Sequence, residues 1–296
     1  MTEPKAGLAA SLPAPEWLVP RDGPAAGMRL AFRAYPVSGQ RARLHLLISH
    51  GLSEHSGWWQ HVAQAFQARG ISAYLFDHYH HGQSAGRVAD VPHYDVLAAG
   101  LRTALEEGVL PRTGGAPVVL LGHSNGGLAA LWALPHVAAH LRALVLSSPL
   151  IRMPWASHWL GLLPAQALSL AHPGAYWQLP LRPERLTSDA SLWPAYFSDP
   201  LRFHKVSARF YLAMRAASNA VSARTDLRGL PLLLLGADAD QVVDRPAMLA
   251  WYERAVSPDK THLPHPGRQH ELFNEVDWLH TVEEVVSWLD RRFPQP

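Results

Sequence analysis

Apolar and polar positions alternate along this chain in two different rhythms, and the rhythms take turns. Residues 29–35 (RLAFRAY) alternate as a half-buried strand does, and residues 44–49 (LHLLIS) read as a more deeply buried strand. Trp59, Val62, Ala63 and Phe66 then recur at helical spacing, Gly70 can close that helix, and residues 71–76 (ISAYLF) return to the strand pattern. Tyr94, Leu97, Leu101 and Leu105 mark a second amphipathic helix. Residues 117–121 (PVVLL) predict a buried strand, a helix is predicted over 127–134 and ends before Pro135, and residues 141–146 (LRALVL) predict the next strand. Such β-α-β-α order is what a mostly parallel sheet covered by helices on both faces requires.

The rhythm breaks after Pro149. Residues 152–226 are rich in Pro and Trp, with short helical patterns such as Trp155, Trp159, Leu162 and Leu163 and no strand of the earlier kind, which reads as an inserted cap. Alternation resumes with residues 230–235 (LPLLLL), a helix over about 246–256, a short extended piece at 261–263, and a last helix with Trp278, Leu279, Val282, Val285, Val286 and Leu289 on one face. The predicted organisation is a loose Ala/Pro-rich leader at 1–14, a core formed by 15–151 and 227–296, and a cap at 152–226. Seven or eight strands interrupted by a helical cap describe an α/β-hydrolase fold, with a central sheet of about eight strands.

Composition narrows the function. The 26 basic and 24 acidic side chains leave a net +2 over 296 residues, too small an excess to imply nucleic-acid binding. No cysteine is present, which excludes disulfides, thiolate metal sites and a cysteine nucleophile. The N-terminus lacks the basic and apolar regions of a signal peptide, and no run of eighteen apolar residues occurs, so the expected location is cytoplasmic.

The chemistry gathers at Gly122-His-Ser124-Asn-Gly126-Gly127, directly after a buried strand. A G-x-S-x-G frame suits a sharp strand-to-helix turn, because glycine lacks the Cβ that would clash there, and the serine is lifted into a pocket. Such a serine needs a base and a group that orients the base, and in this fold they follow in the order serine, acid, histidine. After the strand at 230–235 come Asp238, Asp240 and Asp244. Asp244 precedes Arg245-Pro246 and reads as a helix N-cap. Asp240 is favoured as the orienting acid because Val242 and Val243 should anchor its turn; Asp238 stays the alternative. Of 18 histidines, His270 lies in the loop before the final helix, where it can reach back over the sheet as general base, whereas His262 and His265 come too early. The amides of Leu52 and Asn125 are the candidate oxyanion donors, with Glu54 and His55 bracing the loop that carries Leu52. His50, His123, Trp155, Trp159 and Trp193 are candidates for the substrate pocket, the cap tryptophans lining an acyl site or else forming a small second core. The histidines of residues 77–84 (DHYHHGQS) lack metal-ligand spacing, so no metal is expected, and no phosphate-cradling glycine motif points to a nucleotide cofactor.

Together these motifs resemble the monoacylglycerol lipase and lysophospholipase branch of the α/β-hydrolase superfamily. Residues 50–56 (HGLSEHS) resemble its oxyanion loop, 77–84 its strand-end loop and 122–127 its nucleophile elbow. Residues 186–189 (LTSD) and 199–201 (DPL) are similar to its cap motifs, and Asp240-Gln-Val-Val, His270-Glu and Asn274-Glu275 to its acid and base segments. Two departures stand out: Asn125 where the family usually has methionine, and Tyr79-His80 where it usually has Arg-Gly. The resemblance implies a serine esterase that needs no cofactor, with a small-molecule lipid ester as substrate; separately, the apolar residues of the cap, if exposed, suit transient contact with a membrane surface. Rival readings are an aminopeptidase, holding a free amine through Glu184 or Asp189, and a non-catalytic binding protein.

Overall fold

A computed structural model describes residues 12–39, 41–153, 171–172, 174–179 and 181–294. Eight strands form one sheet in the order β1-β2-β4-β3-β5-β6-β9-β10. They are β1 (Glu16–Leu18), β2 (Leu30–Tyr35), β3 (Leu44–Ser49), β4 (Ile71–Phe76), β5 (Val118–His123), β6 (Ala143–Ser147), β9 (Leu232–Ala237) and β10 (Lys260–His265), and only β1 and β2 run antiparallel to their neighbours. A separate antiparallel pair, β7 (Tyr176–Gln178) and β8 (Lys205–Ser207), lies within the insertion.

The four leucines of β9 explain why the sheet is covered twice. Successive side chains of a strand point to opposite faces. Leu232 and Leu234 therefore enter the core that also holds Leu97, Leu128 and Met214, while Leu233 and Leu235 enter the one that holds Trp59, Val62, Val282 and Leu289. Helices α2 (Asp95–Thr103), α3 (Asn125–Val137), α6 (Ala208–Ala223) and α7 (Arg245–Arg254) supply the first layer; α1 (Gln60–Gln67) and α8 (Trp278–Asp290) supply the second. Two short helices, α4 (Pro183–Leu186) and α5 (Trp193–Ser198), belong to the insertion. Gly70 ends α1 with φ +75°, a conformation that glycine adopts without strain.

Three boundaries differ from expectation. Helix α3 begins at Asn125 and runs through Pro135 to Val137 instead of spanning 127–134. Pro135 sits exposed in the last turn, where its missing N–H costs one hydrogen bond, while Val137 beyond it is fully buried and holds the helix onto the core. Strand β10 is three residues longer than expected and includes Pro264, which an edge strand tolerates. Edge strand β1 and the β7–β8 pair were not legible, because three residues are too few to display a period. Trp155, Trp159, Leu162 and Leu163 lie outside the described residues. Among the described residues, no helix is long and apolar enough to cross a membrane.

Candidate active site

The carboxyl ends of β3, β5 and β9 converge on Ser124. Its backbone has φ 51° and ψ −120°, a left-handed conformation that costs energy for any residue with a side chain. Tight packing forces that turn. A Cβ on Gly126 would stand 2.1 Å from the carbonyl oxygen of Ser49, one on Gly122 would stand 2.8 Å from that of Gly126, and one on Gly127 would stand 2.8 Å from Pro149 Cβ. The elbow is thus pressed against the end of β3 so closely that only glycine fits. Ser49 reinforces the contact: its hydroxyl donates to the Gly126 carbonyl at 3.1 Å and lies 2.9 Å from His78 Nε2.

Side chains from two distant loops meet the serine. His270 Nε2 lies 2.8 Å from Ser124 Oγ, and His270 Nδ1 lies 2.7 Å from Asp240 Oδ2. Asp240 Oδ1 accepts from the amides of Val242 at 2.7 Å and Val243 at 3.1 Å, which fixes the carboxylate in the turn after β9. Asp238 instead pairs with Arg245 at 2.5 Å in a half-buried setting, and Asp244 caps α7 by accepting from Ala247 N at 3.0 Å. Burial alone would push the His270 pKa down, but the facing Asp240 carboxylate, with Glu271 and Glu54 behind it, holds it above the ordinary 6.5. Burial would raise Asp240, but His270 and the two valine amides bring it below the ordinary carboxylate value. With the imidazole able to take the serine proton and the carboxylate holding its far nitrogen, the arrangement can generate an alkoxide nucleophile.

Leu52 borders the cavity in front of Ser124, and Asn125 is the first residue of α3, so its amide has no acceptor within the helix. The Leu52 loop is braced as expected. Glu54 accepts from Gly51 N at 3.1 Å and from Trp59 Nε1 at 2.8 Å, while His55 Nε2 and Trp58 Nε1 each lie 2.8 Å from Asp199 Oδ2. Asn125 departs from a methionine, and its side chain has a specific partner: the Tyr94 hydroxyl donates to Asn125 Oδ1 at 2.7 Å, with both residues buried.

The cavity measures about 200 Å³. Leu52, Leu150, Met153, Leu181, Leu186 and Met214 form its apolar wall, while Glu54, Ser124, Arg185, Gln241, His270 and Glu271 supply polar groups. Neither His50 nor His123 is part of this lining, a correction to the sequence reading. His50 is a buried strut: its Nδ1 donates to the Gly51 carbonyl at 2.8 Å, its Nε2 accepts from His78 N at 3.0 Å, and burial lowers its pKa to about 4. His123 packs behind His270 with ring centroids 4.9 Å apart, and burial followed by repulsion from His270 lowers it to about 3. Trp193 also lies off the cavity, its indole donating to the Thr187 carbonyl at 3.1 Å. Trp155 and Trp159 fall outside the described residues. Met214 and Leu181 were missed because nothing in a helix or loop of an insertion indicates which face meets a distant serine; Glu271 could have been found beside His270.

The histidine-rich loop after β4 is held by hydrogen bonds. Asp77 accepts from Ser56 N at 2.7 Å and Gln83 N at 2.8 Å, and His81 Nδ1 donates to the Tyr79 carbonyl at 3.0 Å. Among the described residues no group of three or more His, Asp or Glu side chains could hold a metal ion.

Comparison with known proteins agrees with this architecture. The family model described as Serine aminopeptidase, S33 matches residues 40–277. A monoacylglycerol lipase of Mycolicibacterium smegmatis is 28% identical over 250 residues, covering 82% of this chain and 87% of that protein. A monoglyceride lipase of Rattus norvegicus is 29% identical over 270 residues, covering 90% of this chain and 88% of its own length. The crystal structure of a soluble variant of monoglyceride lipase from Saccharomyces cerevisiae, in complex with a substrate analogue, superposes with a TM-score of 0.81 at 20% identity over 95% of this chain and 96% of that one, which establishes the α/β-hydrolase fold.

Proposed function

This chain belongs to the serine aminopeptidase family of α/β-hydrolases, and from that premise we propose that it is a serine hydrolase cleaving carboxylic esters of the monoacylglycerol or lysophospholipid class. The observation that carries the reading is the relay from Ser124 Oγ through His270 to Asp240, with contacts of 2.8 and 2.7 Å, opening onto an apolar-walled cavity. Ser124 attacks the acyl carbonyl while His270 Nε2 takes its proton, and Asp240 orients the imidazole and stabilises its charged form. The amides of Leu52 and Asn125 hold the tetrahedral oxyanion, helped by the positive end of α3. His270 then gives its proton to the leaving alcohol, and an activated water releases the acid from Ser124. Each methylene of the acyl chain buried against the apolar wall contributes about 0.8 kcal/mol.

Cleavage of aminoacyl peptides is less well supported. Glu184 is exposed and Asp189 accepts from Ser191 N at 3.1 Å, and neither borders the cavity. Glu54 and Glu271 do border it, but Oε2 of each already accepts two hydrogen bonds, from Gly51 and Trp59 and from Tyr196 and Asn274, and Oε1 of each faces a basic side chain, His123 and Arg202, at 3.8 Å. Names of relatives lean the same way, two of them being monoacylglycerol or monoglyceride lipases. Steady-state hydrolysis of a monoacylglycerol, a lysophospholipid and an aminoacyl amide tests the reading. Ester cleavage should dominate and should fall by about four orders of magnitude or more in Ser124→Ala. Undiminished ester cleavage in that variant would contradict the mechanism.

A further inference from the structure

Among the described residues Arg185 is the one arginine or lysine in the cavity lining, and no hydrogen bond or ion pair engages its guanidinium. Other arginines nearby have partners: Arg202 stacks on Trp58 and Tyr196, and Arg245 pairs with Asp238. The Arg185 segment is also fixed in place. The next residue, Leu186, accepts through its carbonyl from Glu271 N at 2.7 Å; Thr187 Oγ1 donates to the Asn274 carbonyl at 2.8 Å, and Ser188 N donates to Glu275 Oε2 at 3.2 Å. Helix α4 is therefore stitched to the loop that carries His270.

This placement bears on the leaving group. His270 must protonate the departing oxygen, so the alcohol half of an ester lies on the His270 side of Ser124 while the acyl chain takes the apolar wall. Arg185 lines the same cavity from α4, the helix that is hydrogen-bonded to the His270 loop. A neutral glycerol would leave a partly desolvated guanidinium without an anion, whereas a phosphate would match its planar fork with two charge-assisted hydrogen bonds. The two acidic groups of the lining do not compete for it. Glu54 is tied to Gly51 and Trp59, and Glu271 is tied to Tyr196 and Asn274 with Arg202 3.8 Å away; both are buried, whereas Arg185 is half-buried.

We propose that Arg185 selects esters whose alcohol half carries a phosphate, so that an acyl glycerophosphate is preferred over a neutral monoacylglycerol. This rests on the reading of Ser124, His270 and Asp240 as an ester-cleaving relay. Its test uses the full chain with three substrates of one acyl chain: 1-acylglycerol, 1-acylglycerol-3-phosphate and 1-acylglycerophosphocholine. The parent enzyme should have its highest kcat/KM on a phosphate-bearing ester, and Arg185→Gln should lower the ratio of phosphate ester to neutral ester by about tenfold or more, mainly through KM. Arg185→Lys should recover part of it, since an ammonium keeps the charge and loses the fork. A fall shared by both phosphate esters assigns recognition to the phosphate itself; a fall confined to the glycerol phosphate assigns it to net negative charge. An unchanged ratio in Arg185→Gln, or a parent enzyme that prefers the neutral ester, overturns the inference while leaving the ester-cleaving reading intact. Cleavage of none of the three by the parent enzyme overturns that reading, and the inference with it.

Discussion

Ser124, His270 and Asp240 lie far apart in the chain and meet because three strand ends converge, so the pH dependence of the reaction is set by one imidazole. Protonated His270 cannot accept the serine proton, so kcat/KM should rise as pH rises through the His270 pKa. Because Asp240 holds that pKa above 6.5, the acidic limb should have its midpoint above pH 6.5. Asp240→Asn removes the raising charge, so the midpoint should move down while the plateau falls by about three to four orders of magnitude. Asp238→Asn removes only a partly solvated pair with Arg245, so its plateau should stay within about a factor of three of the parent. Rate profiles across pH for the two variants check both statements; a larger loss in Asp238→Asn would reverse the assignment. Asp240 is favoured in the sequence because Val242 and Val243 should anchor its turn; Val243 is buried, and the amides of both valines donate to the Asp240 carboxylate, a grip the sequence did not reveal. The roles expected of His50 and His123 were not legible, since adjacency in sequence to a glycine or serine says nothing of which way a ring turns once buried.

The β5–α3 elbow shows at the level of elements what glycine contributes. A methyl group at position 126 would collide with the backbone oxygens of Ser49 and His50 at 2.1 and 2.4 Å, and neither can rotate away as a side chain could. Gly126→Ala should therefore destabilise the fold by about 3 kcal/mol or more and abolish activity, as read by denaturant unfolding alongside ester hydrolysis. A variant of parent stability and rate would mean that the elbow is looser than its packing indicates. Long elements with a clear period were the legible ones: β3, β4, β5 and β9 fall where the apolar runs lie, and α8 follows its stripe of Val282, Val285 and Leu289. Pro135 misled because a proline rule weighs one lost hydrogen bond, whereas the buried Val137 beyond it decides where α3 ends.

For the molecule as a whole, two apolar layers on one sheet bring Ser124, His270 and Asp240 together, and an insertion between β6 and β9 supplies Leu181, Arg185 and Met214 to the same cavity. The sheet was readable because short apolar runs such as the four leucines of 232–235, alternating with helical patterns, fit strands covered on both faces. The insertion was less so, because apart from the 16-residue α6 its described elements are too short to display a period. The residues proposed to choose the substrate thus lie in the least legible part of the chain, and those proposed to cleave the bond in the most legible. The account stands or falls on Ser124 being the residue that becomes acylated. Intact-protein and peptide mass spectrometry after labelling with an alkyl fluorophosphonate, which mimics the tetrahedral intermediate, measures this directly. The account predicts one adduct per chain, on Ser124, absent in Ser124→Ala and slowed in His270→Ala; an adduct on another residue, or none on the active parent enzyme, would contradict it.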